Sequence, residues 1–340
     1  MTKICIYCYI LTVPIQLYAE EKTTHSPIEI STFSTATKEQ PTWTLERLNS
    51  AEWSADLAQG QFPLYAKLQV LLSRNFSSSG AIDGRSGLNT TKAIAAYQIM
   101  QGFSGDGQLD QDTWQRLTQN HTTPTFIEYS ITHKDIQQPY AKSIPSNYAE
   151  QAKMKGLYYT RVTEMLAEKF HMDELFLQQI NPHAQFDKIG EKIIVANISN
   201  TLPNGIHSII AHKGTRQLFL FNQQNKMIAA FPATIGSDDN PSPSGTHRIA
   251  GITFNPQYSY NPKNFIQANN YTSLLLPAGP NNPVGNVWIG LSKPSFGIHG
   301  TPAPSLVSKT ASHGCIRLTN WDATNLAKYV RTGMTVKFLE

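Results

Sequence analysis

Cysteine is scarce in this 340-residue chain, which has only Cys5, Cys8 and Cys315. A framework of disulfides is therefore excluded as the source of stability. Charge is also scarce: 15% of the residues are charged, the formal net charge is +4, and lysine and arginine form no run. Nucleic acid is therefore a poor candidate partner, whereas a mild positive excess suits an anionic polymer.

Long apolar runs are missing except at the N-terminus, where Lys3 precedes an apolar stretch that ends near Ala19. This pattern predicts a secretory signal peptide over residues 1–19. The stretch is shorter than the roughly 20 residues that cross a bilayer, so we expect no stable membrane span after cleavage. Residues 20–42 are rich in Thr, Ser, Glu and Lys, which predicts a flexible leader.

Signal cleavage would remove Cys5 and Cys8 and leave Cys315 as the remaining cysteine. A lone thiol in an exported protein indicates a reactive group or an intermolecular partner, and a buried inert thiol is the alternative. A nucleophilic cysteine needs a base or a cation nearby, because the thiolate is the reactive form. His313 and Arg317 flank Cys315 at alternate positions, so an extended segment would turn all three toward one cleft.

Residues 43–120 carry helical patterns, at 62–74 and 89–102, that are separated from each other and from a short third helix by glycine turns. Asn89 and Asp110 are predicted N-caps. This region resembles the peptidoglycan-binding type 1 module, a three-helix bundle, and a generic helical bundle is the alternative. The resemblance rests on matches that include Leu68-Gln69, Asp83-Gly84, Tyr97-Gln98 and Asp106-Gly107.

Residues 121–200 begin with the linker HTTPT and continue in the order strand, helix, helix, strand. This order, with LAEKFHMDELFLQQINP and IIVANI, resembles a divergent LysM-like glycan-binding module. His171 is expected to pack within this module. It is not expected to act chemically.

Residues 206–340 are mainly short β-rich runs, closed by the helical stretch WDATNLAKYV and a final strand. IHG followed by SHGCIRL, together with PSGTHRIA upstream, resembles the signature of the YkuD-type L,D-transpeptidase catalytic domain. The predicted fold class is thus multidomain α+β. It comprises an N-terminal three-helix peptidoglycan-binding bundle, a small LysM-like α/β module and a C-terminal β-rich L,D-transpeptidase catalytic domain.

The resemblance implies a role for each residue of this signature. Cys315 would be the acylated nucleophile, His299 would take its proton, and the Gly300 carbonyl would orient the His299 ring. His313 would line the site and stabilise the bound donor. The sequence leaves open which of the two histidines is the base.

Further residues would bind the substrate or the developing charge. Backbone amides of Gly314 and Cys315 are candidates for the oxyanion hole. Arg317 would hold the anionic stem peptide or favour the thiolate, and Ser312 and Trp288 complete the expected substrate-binding residues. The irregular stretch 253–286 is expected to form a lid or a groove for the donor.

The family resemblance also implies a reaction and a location. Cys315 would attack the third residue of a peptidoglycan tetrapeptide stem, release the terminal D-alanine and pass the acyl group to an amine. The acceptor is not encoded in any visible motif, and it could be a second stem, an outer-membrane lipoprotein or a free D-amino acid that replaces the terminal one. No cofactor or metal is expected, and we expect a monomeric, periplasmic protein that contacts stem peptides and glycan strands.

Three alternatives remain at this point. Cys315 and the two histidines could ligate zinc, because cysteine and histidine are its usual donors. The enzyme could use water as acceptor and act as an L,D-carboxypeptidase or endopeptidase. The chain could also be an inert peptidoglycan-binding protein, although every position of the signature is filled.

Overall fold

The computed structural model describes residues 42–199, 201–237, 240–262, 273–312 and 314–340. The predicted signal peptide, the leader up to residue 41 and His313 lie outside this part of the chain. Pro41–Glu340 form one compact unit. None of the helices in the described ranges combines the length and the apolar character that a membrane span requires.

The N-terminal helical module contains four helices in its described residues: α1 (Leu45–Ser50), α2 (Pro63–Arg74), α3 (Leu88–Gln101) and α4 (Gln111–Thr118). The predicted bundle corresponds to α2, α3 and α4, which share a core that includes Leu68, Tyr97 and Leu117. Helix α1 differs, because its buried Leu48 belongs to the core of the following module.

Two buried glutamines hold the glycine turns of this module. Gln69 Oε1 accepts hydrogen bonds from the amides of Asp83 and Gly84, at 3.0 and 2.9 Å. Gln98 Oε1 likewise accepts from the amide of Gly107 at 2.9 Å. Both glycines have positive φ angles, 68° and 74°, which L-residues rarely adopt. In both places a helical glutamine pairs with an Asp-Gly turn for the same reason: its side-chain oxygen accepts from the amide of the glycine whose positive φ angle forms the turn.

The two predicted N-caps have different outcomes. The prediction for Asp110 is confirmed, because its side chain accepts from the amide of Thr113 at the start of α4. The prediction for Asn89 is wrong, because α3 begins at Leu88 and Gly87 is its N-cap, with no side-chain bond. The Asn89 amide instead donates to the carbonyl of Val307 at 3.1 Å, which joins α3 to the C-terminal domain.

The middle module has the elements β1 (Phe126–Ser130), α5 (His133–Gln137), α6 (Tyr148–Gln151), α7 (Val162–Lys169), α8 (Glu174–Gln179) and β2 (Lys192–Ala196). Strands β1 and β2 pair antiparallel, with Phe126 opposite Ala196. The predicted strand, helix, helix, strand order is therefore present, with α5 and α6 added between β1 and α7.

The C-terminal domain is built on a large mixed sheet. Its strands are β3 (Ser208–His212), β4 (Gln217–Phe221), β5 (Met227–Pro232), β6 (Thr234–Ile235), β7 (Gly245–Phe254), β10 (Val287–Leu291), β11 (Gly297–His299), β12 (Ile316–Arg317) and β13 (Thr335–Leu339). Across the described residues these nine strands lie in the order β5-β4-β3-β13-β7-β10-β11-β12-β6. Strands β8 (Tyr258–Tyr260) and β9 (Leu274–Leu276) form a separate pair, and helix α9 spans Asn320–Tyr329.

The register of this sheet separates apolar from polar side chains. One row across five strands is entirely isoleucine and faces or borders the core: Ile252, Ile289, Ile298, Ile316 and Ile235. Because side chains alternate along a strand, the adjacent row faces the opposite side. That row is Thr253, Trp288, His299, Arg317 and Thr234, and it contains three of the residues that the sequence assigned to the site.

Both preceding modules dock on this domain. The Ala230 amide in β5 donates to the carbonyl of Phe76, and the Ser78 amide donates to the carbonyl of Ala230, both at 2.9 Å, so the segment after α2 extends the sheet edge. Ser78 Oγ also donates to Asp322 in α9 at 3.0 Å. From the middle module, the buried His171 ring stacks on Trp321 of α9, with centroids 5.0 Å apart. His171 thus packs as expected, but against the C-terminal domain.

Candidate active site

A cavity of about 420 Å³ opens on the polar face of the sheet. Trp288 of β10, His299 of β11 and Arg317 of β12 line it, together with Cys315 directly before β12. Four residues that the sequence assigned to the site therefore meet in one place. Another assigned residue, His313, lies outside the described residues.

Cys315 lies directly before β12 and is half-buried. Its Sγ lies 3.7 Å from the carbonyl oxygen of Ser295. Burial raises the pKa of the Cys315 thiol, while a backbone hydrogen bond from Gly297 and the positive charge of Arg317 act in the opposite direction. The thiol is consequently protonated at neutral pH and needs a base to become a nucleophile.

His299 is the buried imidazole of the cavity, with 4% of its surface exposed. Its Nδ1 lies 2.6 Å from the carbonyl oxygen of Gly300. Burial, and secondarily the charge of Arg317, lowers the pKa of His299 to about 3, against the hydrogen bond to Gly300. Since a carbonyl can only accept, the proton of the neutral ring is on Nδ1, and the Nε2 lone pair is free to accept a proton.

Trp288 packs flat against the His299 ring, with centroids 5.6 Å apart and an interplanar angle of 20°. The indole thereby fixes the plane of the His299 ring. The Gly300 carbonyl fixes the direction in which Nδ1 of that ring points. Gly297 leaves room for the indole, because a Cβ at that position would lie 2.7 Å from Trp288 Cζ2. Trp288 both supports His299 and forms part of the cavity wall.

The turn before Cys315 is held by two buried serines. Ser312 Oγ donates to the carbonyl of Cys315 and accepts from the amide of Gly236, both at 2.7 Å. Ser242 Oγ donates to the carbonyl of Gly314, also at 2.7 Å. Substrate binding by Ser312 stays a prediction, although its hydroxyl bonds two backbone groups and the residue is not among those that line the cavity. Ser242 lies two residues before the quoted PSGTHRIA segment's serine, and no sequence feature singled it out.

Arg317 brings a cation into the cavity. It is half-buried, and its Nη1 donates to the carbonyl of Ala311 at 3.3 Å. Among the described residues no carboxylate forms a salt bridge with it. A carboxylate of an incoming ligand could therefore pair with this guanidinium.

Two tyrosines that the sequence did not assign complete the wall. Tyr148, from α6 of the middle module, and Tyr258, from β8, both line the cavity, and their ring centroids lie 6.2 Å apart. Tyr258 falls in the stretch expected to form a lid or groove, of which residues 263–272 lie outside the described part. The sequence around Tyr148 was expected to form a Pro-containing loop, and no pattern distinguished this half-buried tyrosine from other aromatic residues.

The zinc alternative stays open, because one of its three ligands lies outside the described residues. Within the residues that the structure describes, no three side chains of His, Cys, Asp or Glu cluster as metal ligands would. His313, which that alternative requires, is not among them.

A thiol and a neutral imidazole that share a cavity are the groups with which cysteine-dependent acyl-transfer enzymes work. Residues 206–337 match the L,D-transpeptidase catalytic domain family, YkuD, and residues 63–117 match a family described as "Putative peptidoglycan binding domain". The expected β-rich catalytic domain, preceded by a helical peptidoglycan-binding region, is thus confirmed.

The names of two similar proteins agree with this match to the catalytic-domain family. "Putative L,D-transpeptidase YkuD" of Bacillus licheniformis is 29% identical over 177 residues, which are 51% of this chain and 90% of that protein. "Putative L,D-transpeptidase YqjB" of Bacillus subtilis is 30% identical over 142 residues, 40% of this chain and 73% of that protein. The chain belongs to the YkuD-type L,D-transpeptidase family and is an enzyme of that family.

A solved L,D-transpeptidase from Mycobacterium smegmatis is similar at 15% identity and a TM-score of 0.33. The alignment covers 45% of this chain and 65% of that one, so the chain spans less than two thirds of that structure.

Proposed function

We propose that this chain is a cysteine-dependent L,D-transpeptidase that acts on peptidoglycan tetrapeptide stems through a thioester on Cys315. The observation that carries the proposal is the shared cavity of Cys315 and His299, in which the Gly300 carbonyl fixes the imidazole tautomer. The family name gives the substrate class, and the cavity supplies the nucleophile and the base.

In the first half-reaction, Cys315 Sγ attacks the carbonyl carbon of the third stem residue while its proton passes to His299 Nε2. The resting thiol and imidazole are both neutral, so the sulfur becomes a thiolate nucleophile only when its proton passes to His299. The C–N bond then breaks, His299 returns the proton to the departing D-alanine amine, and the acyl group remains on sulfur as a thioester.

The oxyanion of the tetrahedral intermediate needs hydrogen-bond donors. The backbone amides of Gly314 and Cys315 are our candidates, because the serine-held turn fixes the peptide groups around them. Arg317 is our candidate for the stem carboxylate, since its charge lines the same cavity without a carboxylate partner among the described residues.

In the second half-reaction, an amine attacks the thioester and takes the acyl group. An amine of another stem gives a cross-link, and an amine of an outer-membrane lipoprotein gives a protein attachment. Water in the same position would make the enzyme a carboxypeptidase, which is the second candidate function. The acyl-enzyme is common to all three outcomes.

The two preceding modules suit a protein that works on the cell wall. We propose that the middle module is a LysM-like glycan-binding unit, an assignment supported by the β1–β2 pair that flanks α7 and α8. We further propose an exported, periplasmic and monomeric protein, based on the predicted signal peptide and on the substrate.

The proposal is tested with the full chain, purified tetrapeptide muropeptides and mass analysis of the products. We expect a dimer that has lost one D-alanine, whereas hydrolysis would give the free tripeptide. Cys315→Ala should abolish both products but retain binding to isolated sacculi. Equal turnover by Cys315→Ala would contradict the proposal, and absent turnover by the wild type would favour the inert binder. Comparison of His299→Ala with His313→Ala identifies the base.

A further inference from the structure

Asn320, the first residue of α9, joins the catalytic domain to the middle module through its side-chain amide. Its Nδ2 donates to both carboxyl oxygens of Glu168, at 2.9 and 3.0 Å. Glu168 lies in the last turn of α7 and is buried, and the Tyr159 hydroxyl donates to its Oε2 at 3.0 Å. The middle module therefore places a carboxyl group inside the junction with the catalytic domain.

The other end of the same amide reaches the active site. Asn320 Oδ1 accepts a hydrogen bond from the amide of Thr301 at 3.1 Å and from that of Asn286 at 3.2 Å. The Thr301 N–H and the Gly300 C=O belong to one peptide group. That carbonyl is the acceptor for His299 Nδ1. A continuous chain of hydrogen bonds thus runs from Glu168 through two amide groups to the imidazole.

The side chain at the centre of this series of hydrogen bonds, Asn320, is tightly packed. A methyl group on Gly300 or on Gly285 would overlap Asn320 Oδ1, so the Asn320 side chain fills the space against both glycines. The Glu168 carboxyl occupies the remaining side of Asn320, and the carbonyl of Pro280 also accepts from Nδ2 at 3.2 Å. The orientation of Asn320 is therefore determined, with its oxygen toward Thr301 and its nitrogen toward Glu168.

We propose that Glu168 is a positioning residue for His299, acting through Asn320 and the 300–301 peptide group. Each amide in the chain donates on one side and accepts on the other, so a negative charge at Glu168 polarises the whole series. The Gly300 carbonyl becomes a better acceptor, which holds the ring and favours the imidazolium formed when Cys315 loses its proton. This inference rests on the proposed role of His299 as the base.

The charge of Glu168 depends on its surroundings. Burial, with a smaller contribution from the neighbouring Glu164, raises the pKa of Glu168 to about 8, against hydrogen bonds from Asn320 and Tyr159. A crevice of about 460 Å³ borders Glu168 and brings the titratable or charged groups of the packed elements near it: Lys134, Asp135, Lys169, His171 and Lys328. Protonation of Glu168 removes the charge, while the remaining carbonyl oxygen of the acid can still accept from Asn320 Nδ2.

Glu168→Gln tests the proposal, because it keeps the shape of the side chain and removes the charge. For acylation by a tetrapeptide donor, we expect kcat to fall about tenfold above pH 8, or about 1.4 kcal/mol of barrier. KM should stay unchanged, and the two proteins should converge near pH 6, where Glu168 is neutral in the wild type. In ¹⁵N-labelled protein, the Nδ1–H resonance of His299 should move upfield in the variant.

Two further variants separate positioning from adhesion between the modules. Tyr159→Phe removes one donor to Glu168 and so raises the pKa of its carboxyl, which should move the rise of kcat with pH to higher pH. Glu174→Gln is the matched control, because Glu174 lies in the same module and bonds Arg161 and Thr163, away from Asn320. The control should retain the wild-type kcat, pH profile and His299 resonance.

The outcomes are distinct. If Glu168→Gln changes only the melting temperature, with the kcat profile and the His299 resonance unchanged, Glu168 merely holds the modules together and the inference is wrong. If Glu168→Gln does not fold, Tyr159→Phe decides by the same two measurements. A shifted His299 resonance in a protein whose turnover does not need His299 would refute the proposed function and leave the hydrogen-bond chain intact.

Discussion

Gly314, directly before Cys315, offers the sharpest test of how the nucleophile is held. Its φ angle is +96°, and a Cβ at this position would lie 2.7 Å from Cε1 of Phe296. Gly314→Ala therefore imposes two separate costs, one on the backbone and one on packing. Gly333 is the matched control, because its φ is +89° and its Cβ would meet nothing within 4 Å.

The magnitudes follow from these two environments. A left-handed conformation costs an L-residue about 1–2 kcal/mol, so Gly333→Ala should lower the free energy of unfolding by that amount. Carbon atoms pack best at about 3.5–4.0 Å, so Phe296 must move by nearly 1 Å in Gly314→Ala. Overpacking of this kind adds about 1–3 kcal/mol. We expect Gly314→Ala to cost about 3 kcal/mol in total.

Urea unfolding measures the free energy of unfolding of both variants. The rate of Cys315 alkylation by iodoacetamide measures the accessibility and reactivity of the thiol. Gly314→Ala should change the alkylation rate, whereas Gly333→Ala should not. Phe296→Leu removes the atom that a Cβ at position 314 would crowd. In a double-mutant cycle, the variant that also carries Gly314→Ala should therefore regain the stability lost to packing and keep only the backbone cost. Equal destabilisation by Gly314→Ala and Gly333→Ala, with no coupling to Phe296, would refute the reasoning.

Other predictions concern the base, the buried carboxyls, the nucleophile turn and metal. His299→Ala should lower the rate of acylation by about 10²–10⁴, measured by single-turnover kinetics; a change below threefold would exclude it as the base. Burial raises the pKa of Glu168 to about 8 and that of Asp322 to about 7. The folded state therefore binds more protons than the unfolded state between about pH 5 and 8, and the free energy of unfolding should fall as pH rises. Denaturant titrations that stay flat in this range would contradict the burial of both groups. Ser242→Ala should cost about 1–3 kcal/mol in urea unfolding, because the Gly314 carbonyl loses its donor, whereas an unchanged midpoint would show that water replaces it. Dialysis against a chelator should leave turnover unchanged, and a loss restored by zinc alone would favour the metal alternative.

The sequence predicted the features that depend on local pattern. Strand alternation predicted that Cys315 and Arg317 face one cleft, and both line the cavity. The helical stripes predicted α2 and α3, and Asp110 predicted the start of α4. Each of these depends on residues within a few positions of one another, where spacing alone fixes direction.

The remaining features depend on partners far apart in the chain. Asn89 was expected to cap its own helix, but it bonds Val307, 218 positions away. Glu168 meets Asn320 across 152 positions, and no local pattern distinguishes it from the exposed glutamates of the same module. Ser312 was expected from the family resemblance to bind substrate, yet its hydroxyl bonds the Cys315 carbonyl and the Gly236 amide of its own domain. Such roles follow from tertiary contacts within and between the modules, which sequence spacing does not encode.

Intact-mass analysis of the full chain after brief incubation with a purified tetrapeptide muropeptide is the most direct test of the central claim. We expect an adduct equal in mass to the donor minus alanine, mapped by peptide digestion to Cys315 and released by hydroxylamine, as a thioester is. Cys315→Ala should carry no adduct. Turnover without any adduct on Cys315, or an adduct on another residue, would contradict the account.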